Sequence, residues 1–347
     1  MISIIIPTLN RYQLLKSAID SCCQQDFPSG DYEILVIDNG STDKTKEVVF
    51  QLIHSYPNHS IRYFLEPIPG LLSGRHRGAI EANGEILVYI DDDIQASPQW
   101  LKSIQSTMEN SEIQLLGGRN LPSYEVDPPD WLNWFWIKHP YGKWCSKLSL
   151  LDFGNSVIEI DANFVWGLNF TIRKSALLEL GGFHPDSFPK HLQFLQGNGE
   201  TGLTVKANNR GYKAVYQPSA LVYHFVPESR MTIDYFKQRY FFSGVCDSYT
   251  KIRYTFNHSS DANDIEKIKN TLRKFKQKIG TLPALLSYQI QVPSEVKNLQ
   301  NVFHTSYQEG YRFHQQVVLN DPILLKWVTK PDYWDYSLPI SFENFQL

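Results

Sequence analysis

The sequence predicts an α/β fold, with a mostly parallel sheet flanked by helices and a helical C-terminal extension. Three observations carry this. Over residues 1–120 short apolar runs alternate with segments of helical spacing, and that order imposes parallel pairing with right-handed crossovers. The polar residues of the same stretch fall where the runs end, at the carboxyl edge where such sheets bind ligands. Beyond residue 231 the apolar spacing turns helical throughout.

Residues 2–6 form an apolar run stopped by Pro7 and the turn-forming Asn10, as in a buried strand. Leu14, Leu15, Ala18, Ile19 and Cys22 give residues 11–25 a helical face. Residues 33–37 are strand-like and end in Asp38-Asn39-Gly40-Ser41, where Ser41 or Thr42 can cap a helix bearing Val48, Val49 and Leu52. A third strand covers 61–65, a helix 71–83 stopped by Gly84, and a fourth strand 86–90, which runs into Asp91-Asp92-Asp93.

From 121 to 162 the pattern breaks into an irregular insertion holding Trp131, Trp134, Phe135, Trp136, Tyr141 and Trp144. Order returns with strands at 163–166 and 170–172, a helix over 174–180, another near 200–210, and strands at 213–216 and 220–224. Helices over 231–254, 262–279 and 293–317 complete the chain. The domain division that follows is 1–230, split into 1–120 and 121–230, with 231–347 as the extension.

Composition excludes several classes. Of 347 residues 20% are charged, and 33 basic against 36 acidic side chains give a net charge of −3, without the basic excess of a nucleic-acid binder. Four cysteines without a Cys-x-x-Cys pair argue against a disulfide framework or zinc site and favour a reduced, cytoplasmic setting. The opening run is too short for a signal peptide, and no apolar stretch is long enough to span a bilayer. Lys267, Lys269, Arg273, Lys274, Lys276 and Lys278 make a basic stretch, read as a solvated face or, less simply, as contact with the inner face of a membrane.

Asp91-Asp92-Asp93 is the strongest chemical signal. Adjacent carboxylates repel unless a cation or hydrogen-bond donors compensate, so the triplet is either a ligand set for a divalent metal holding a diphosphate or a solvated turn. Asp38, ending a strand at the sheet crevice, can accept from a base N–H or a ribose hydroxyl; Asn39-Gly40-Ser41 is also a tight turn.

Pro7-Thr8-Leu9-Asn10-Arg11, Val36-Ile37-Asp38-Asn39-Gly40-Ser41-Thr42-Asp43 and Asp91-Asp92-Asp93, at these spacings, together resemble the family 2 inverting glycosyltransferases of the GT-A fold. The likeness continues through Gly70-Leu71-Leu72-Ser73-Gly74-Arg75-His76-Arg77-Gly78, where Gly74 and His76 depart from the family's Ala and Asn. It extends through Ala82-Asn83-Gly84-Glu85, Trp166-Gly167-Leu168-Asn169 and Gly181-Gly182-Phe183, covering residues 2 to about 230.

The resemblance implies that Pro7, Thr8, Asn10, Arg11 and Asp38 border the nucleotide and that Arg75 approaches the diphosphate or base. Asp91 falls nearer the ribose, Asp92 stands in the same nucleotide-sugar set without a separate role, and Asp93 is a metal ligand with His224. Mn2+ or Mg2+ suits such oxygen ligands. Trp166, Gly167, Asn169 and Arg230 fall on the acceptor side, Arg230 within reach of the diphosphate. The family's catalytic base aligns with Glu200 in Asn198-Gly199-Glu200-Thr201-Gly202-Leu203, while Gly202 replaces a second acid; taken alone, Glu200 is also a helix-start acid favoured by the dipole.

The expected activity is transfer of a hexose or N-acetylhexosamine from a nucleotide sugar, foremost a UDP-sugar, to a saccharide or glycoconjugate hydroxyl with inversion. The rivals are an inactive nucleotide-sugar or glycan-binding protein and a sugar nucleotidyltransferase, whose Gly-rich basic loop is missing after the first strand. A dehydrogenase is disfavoured because no Gly-x-Gly-x-x-Gly follows an early strand. The aromatic insertion is read as an acceptor lid or a satellite core; oligomeric state is left open.

Overall fold

The computed structural model describes residues 1–257 and 292–339. They fall into two compact units. The larger holds Met1–Lys190, Gly199–Met231 and Asp332–Ser337; the smaller holds His191–Asn198, Thr232–Pro331 and Leu338–Leu347. The helix expected over 262–279, with its basic residues, lies outside the described residues.

In the larger unit β1 (Ile2–Thr8), α1 (Tyr12–Cys23), β2 (Tyr32–Asp38), α2 (Thr45–Ser55), β3 (Ser60–Leu65), α3 (Leu71–Glu81) and β4 (Ile86–Ile90) alternate as expected. The order β3-β2-β1-β4 is parallel, with Thr8 paired to Asp38 at the carboxyl edge. Every residue of β1, β2 and β4 is buried, because helices cover both faces of the sheet. Ile4, Ile6, Val36 and Val88 on one face pack with Leu15, Ile19 and Cys22 of α1. Each such aliphatic side chain contributes about 1.5–3 kcal/mol on burial.

The strands that follow are mixed in direction. They are β5 (Ile94–Ala96), β6 (Ile113–Tyr124), β7 (Ile137–His139), β8 (Gly142–Cys145), β9 (Leu150–Asp152), β10 (Ile158–Ile160), β11 (Asn169–Arg173) and β12 (Lys213–Val226). Their helices are α4 (Trp100–Met108), α5 (Lys174–Glu179) and α6 (Glu200–Asn209). Strand β11 runs antiparallel to both β4 and β6, and β12 lies parallel to β6.

Several local expectations change. Helix α2 starts at Thr45, with Asp43 Oδ1 accepting the Thr45 N–H at 2.9 Å. Ser41 and Thr42 do not cap it, since Asn10 N–H donates to Ser41 Oγ and Asn10 Oδ1 accepts from Thr42 N–H. The strand expected over 163–166 is a 3-10 turn, Ala162–Phe164, because Asp161 Oδ1 takes the Asn163 N–H at 2.8 Å and the local turn outcompetes pairing. The strands expected at 213–216 and 220–224 are one, β12, with a register shift between Gln217 and Leu221.

The insertion is more regular than its composition indicates. Strands β7, β8 and β9 form an antiparallel meander that joins the main sheet where Leu151 pairs with Asn120. Beneath it Leu148, Leu150 and Cys145 are buried, and Phe153 stacks on His139 at 4.8 Å and meets Phe164 edge-on at 5.0 Å. That part is a satellite core.

In the smaller unit α7 (Ile233–Asn257) packs on α8 (Ser294–Asn320), with α9 (Pro322–Val328) after it. Phe303 is buried against Phe236 and Tyr240, and Ser248 Oγ lies 2.8 Å from His314 Nδ1. Asp321 caps α9, accepting from the Ile323 and Leu324 N–H groups with Pro322 at the first turn. Phe236, Tyr249, Phe303, His314 and Trp327 are buried in the core of this unit. Among the described residues no helix is long and apolar enough to cross a membrane.

Candidate active site

The loops after β1 and β2 are laced together. Asn10, in a left-handed conformation at φ 56°, binds the 41–43 turn through its backbone and its side chain. Asp38 is buried; its Oδ1 accepts from Ser41 N–H at 2.7 Å and its Oδ2 from Tyr63 O–H at 2.8 Å. Asn39 spans to the loop before α3, donating to the Glu66 and Ile68 carbonyls and accepting the Gly70 N–H. Pro7 is buried in β1, so its part is to shape the strand end rather than to offer a polar group.

The three acids have three different environments. Asp92 accepts from Thr8 Oγ1 at 2.7 Å and from Arg11 Nη1 at 2.6 Å, and burial pushes it up to about 7 against the pull of Arg11. Thr8 and Arg11, expected to border the nucleotide, therefore brace this acid. Asp93 gathers basic groups at one oxygen: Oδ2 lies 2.7 Å from Arg11 Nη2, 2.9 Å from Arg230 Nη2 and 3.4 Å from His224 Nε2. Burial opposes its charge, but His224, Arg11 and Arg230 prevail and hold the carboxyl well below the usual range. Asp91 is partly exposed and makes no hydrogen bond or ion pair among the described residues; burial and the charge of Asp93 raise it.

The β12 register is what delivers His224. His224 pairs with Ile94, and Phe225 N–H donates to the Asp93 carbonyl at 2.8 Å. His224 Nδ1 stands 2.9 Å from the Leu148 carbonyl, to which it donates, and Nε2 lies 2.9 Å from Arg230 Nη1.

Glu200 opens α6. Its Oε2 lies 3.1 Å from Arg75 Nη1, and its Oε1 accepts the Gly167 N–H at 3.3 Å. Burial favours the neutral acid, yet Arg75 outweighs it and lowers the Glu200 pKa. The Arg75 side chain is only 4% exposed and lies over the Phe183 ring at 5.0 Å. Gly202, where the family pattern has an acid, packs against the buried His184 imidazole, which leaves a longer side chain no room.

On the acceptor side the expected residues separate. Trp166 is half-buried, with its Nε1–H on the Asn163 carbonyl and its ring edge-on to half-buried Trp144 at 6.1 Å. Asn169 is fully buried, bonded to Trp100, Asn120 and the Ala220 carbonyl, so it braces the core instead of facing a ligand. Arg230 belongs with Asp93 and His224. Sequence reasoning missed Tyr63 and the surroundings of His76; their partners are 25 and 257 positions away, and no local pattern signals such pairings.

The acids that end β4, with His224, are the candidate holders of a divalent cation. Asp93 Oδ1 is buried without a hydrogen-bond partner and Asp91 is unpaired among the described residues, whereas Asp93 Oδ2 and His224 Nε2 are engaged by arginines. Among the described residues no group of three or more His, Cys, Asp or Glu side chains is arranged to hold a metal ion.

A parallel half-sheet ending in acids, joined to a mixed half that presents a carboxylate at a helix start, is the arrangement of the GT-A fold. The sequence pattern described as Glycosyl transferase family 2 matches residues 3–181, more than half of the chain, and the chain belongs to that family. It is similar to Glycosyltransferase AglE of Haloferax volcanii, 34% identical over 117 residues, which are 34% of this chain and 38% of that one. A second relative from the same organism, glucosyl-dolichyl phosphate glucuronosyltransferase, is 22% identical over 70% of this chain and 75% of its own. The chain thus spans well under half of the first relative. Among solved structures, the mannosyltransferase PcManGT of Pyrobaculum calidifontis, bound to GDP-Man and Mn2+, shares the fold. Its TM-score is 0.52 at 17% identity, over 97% of this chain and 88% of that one.

Proposed function

We propose that this glycosyltransferase moves a hexose or N-acetylhexosamine from a UDP-sugar to a hydroxyl of a saccharide or glycoconjugate, with inversion and with a divalent metal. The observation that carries this reading is a carboxylate at a helix start, Glu200, held 3.1 Å from the buried Arg75 in the same compact unit as the acids that end β4. Glu200 takes the acceptor hydroxyl proton. The acceptor oxygen then bonds to C1 from the face opposite the diphosphate, and the C1–oxygen electron pair leaves with the nucleoside diphosphate.

Asp93 and His224 would hold Mn2+ or Mg2+, which neutralises charge on the departing diphosphate. Asp38 and the braced loops at Asn10 receive the base and ribose, Asp91 lies toward the ribose, and Arg75 toward the diphosphate. Trp166, with Gly167 beside Glu200, borders the acceptor. The metal in PcManGT supports a metal-dependent donor site, and the lipid-linked substrate named for the glucuronosyltransferase supports an acceptor in glycoconjugate assembly at the cytoplasmic face of a membrane.

The test is calorimetric titration of UDP, GDP and dTDP with Mn2+ and after chelation, on the wild type and Asp93→Ala. Binding of UDP that needs metal and fails in Asp93→Ala supports the reading, and a UDP-sugar panel follows. Preference for GDP moves the donor class. Absence of binding by any nucleoside diphosphate at millimolar concentration leaves a binding protein without a donor site.

A further inference from the structure

Helix α3 carries His76 next to Arg75, and His76 is completely buried. Its Nε2 accepts the Phe183 N–H at 2.9 Å, so Nδ1 holds the ring proton and donates it to the Tyr333 carbonyl at 3.2 Å. Burial pushes the imidazole down to about 3, which keeps the ring neutral and this tautomer fixed. Trp334 lies nearly flat on the ring, with centroids 4.3 Å apart and planes 24° from parallel. Tyr336 anchors the same segment, donating its O–H to Glu66 Oε2 at 3.1 Å.

The chain is shaped around this contact. Gly182 adopts φ 75°, and a Cβ there would collide with His76 Nε2 and crowd the Trp334 ring. Phe183, whose N–H His76 holds, offers its ring to the Arg75 guanidinium. The charged groups facing Arg75 are Glu200, Asp91 and Asp186, and Glu200 is the one it contacts directly.

We propose that the segment Asp332–Ser337, through Trp334 and the Tyr333 carbonyl on His76, positions Arg75 against Glu200. His76 and Trp334 are thus positioning residues of the active site. The inference rests on the reading of Glu200 as base. His76 stands where the family pattern carries Asn, and an Asn side chain cannot span from the Phe183 N–H to the Tyr333 carbonyl while supporting a stacked indole. The His and the Trp form one device, joined across the length of the chain.

The experiment compares wild type, Trp334→Phe, Trp334→Leu and Trp334→Ala by crystal structure and by UDP release from a UDP-sugar that the wild type turns over. In Trp334→Ala the Arg75–Glu200 separation is expected to open beyond 4 Å; kcat per folded molecule is expected to fall about tenfold while donor KM changes less than twofold. Trp334→Phe, which keeps a ring on His76, restores both. Trp334→Leu keeps apolar volume without the flat face and behaves like Ala, which covers the case in which Ala does not fold. An unmoved ion pair with kcat within twofold in the Ala and Leu variants overturns the proposal. Glu200→Gln alone tests the base reading: retained transfer there removes the base, while the Arg75–Glu200 separation in the Trp334 variants still decides the role of the segment.

Discussion

Arg75 Nη1 and Glu200 Oε2 meet at 3.1 Å across 125 positions of sequence, one from the middle of α3 and the other from the first turn of α6. The guanidinium is buried and always charged, so the carboxylate beside it is held ionised before any substrate arrives. A base that must collect a proton from a hydroxyl needs that state at rest. The pair also limits where Glu200 points, since its other oxygen is held by the Gly167 N–H.

Replacing Glu200 by Gln keeps the shape and one acceptor oxygen, which can accept from Arg75 or from the Gly167 N–H but not from both, and removes the site for a proton. Transfer is expected to fall by about 10²–10⁴ in kcat. UDP affinity should stay within twofold, because the substitution leaves the acids and loops at the ends of β1, β2 and β4 alone. Steady-state kinetics beside calorimetry separate the two quantities; a Gln variant with wild-type turnover removes Glu200 from the chemistry.

The pH dependence follows from the same pair. Burial alone would raise the Glu200 pKa, and Arg75 more than reverses it, so the folded value lies below the usual carboxylate range. The base works deprotonated, so wild-type kcat should stay level as pH drops through that range and fall only beneath it. In Arg75→Gln only backbone N–H groups, Gly167 among them, oppose burial, so Glu200 holds its proton to higher pH and the acid limb of the kcat profile moves upward. A profile with the same acid limb in both proteins contradicts this account.

The parallel half was legible because its strands are apolar on both faces and end abruptly in polar turns, a pattern that needs no knowledge of distant partners. The caps were not: Ser41 and Thr42 looked free for α2 because nothing local reveals that Asn10 takes them. Of the site, the acids and Glu200 could be picked out by type and spacing, but their partners could not. Arg11 is long enough to reach a ligand or an acid, and the fold sends it to Asp92 and Asp93. His224 meets Asp93 only through the pairing of β12 with β5, which joins residues about 130 positions apart. Asn169, polar within a motif on the acceptor side, proved to be a core brace because Trp100 needs an acceptor for its indole N–H.

Asp93→Asn tests the cation nest. The substitution removes the charge that Arg11, Arg230 and His224 share while keeping the side-chain volume. A fully buried pair broken at one partner costs about 3–5 kcal/mol, but these arginines can rehydrate, so roughly 2–3 kcal/mol is expected here. Their side chains are 32% and 23% exposed, which is the reason for the discount. Thermal unfolding should show a midpoint lower by several degrees, and calorimetry should show UDP binding that no longer responds to Mn2+. Unchanged stability means that the two guanidiniums are already solvent-compensated; a retained metal response means that Asp93 is not a ligand.

Gly167→Ala adds one methyl group to the tightest part of the site. A Cβ at residue 167 would collide with Arg75 Nη2, and the same residue's N–H holds Glu200 Oε1. The guanidinium cannot retreat freely, because Phe183 lies over it and the Glu200 carboxylate fixes its far side. Overpacking of this kind costs about 1–3 kcal/mol, and the strain falls on the Arg75–Glu200 pair rather than on the sheet. Turnover is therefore expected to fall about 10- to 100-fold with a smaller change in UDP affinity, and the acid limb of kcat to move toward that of Arg75→Gln. If the Ala variant instead loses UDP binding while turnover at saturation stays intact, Arg75 serves the nucleotide and Glu200 is organised without it.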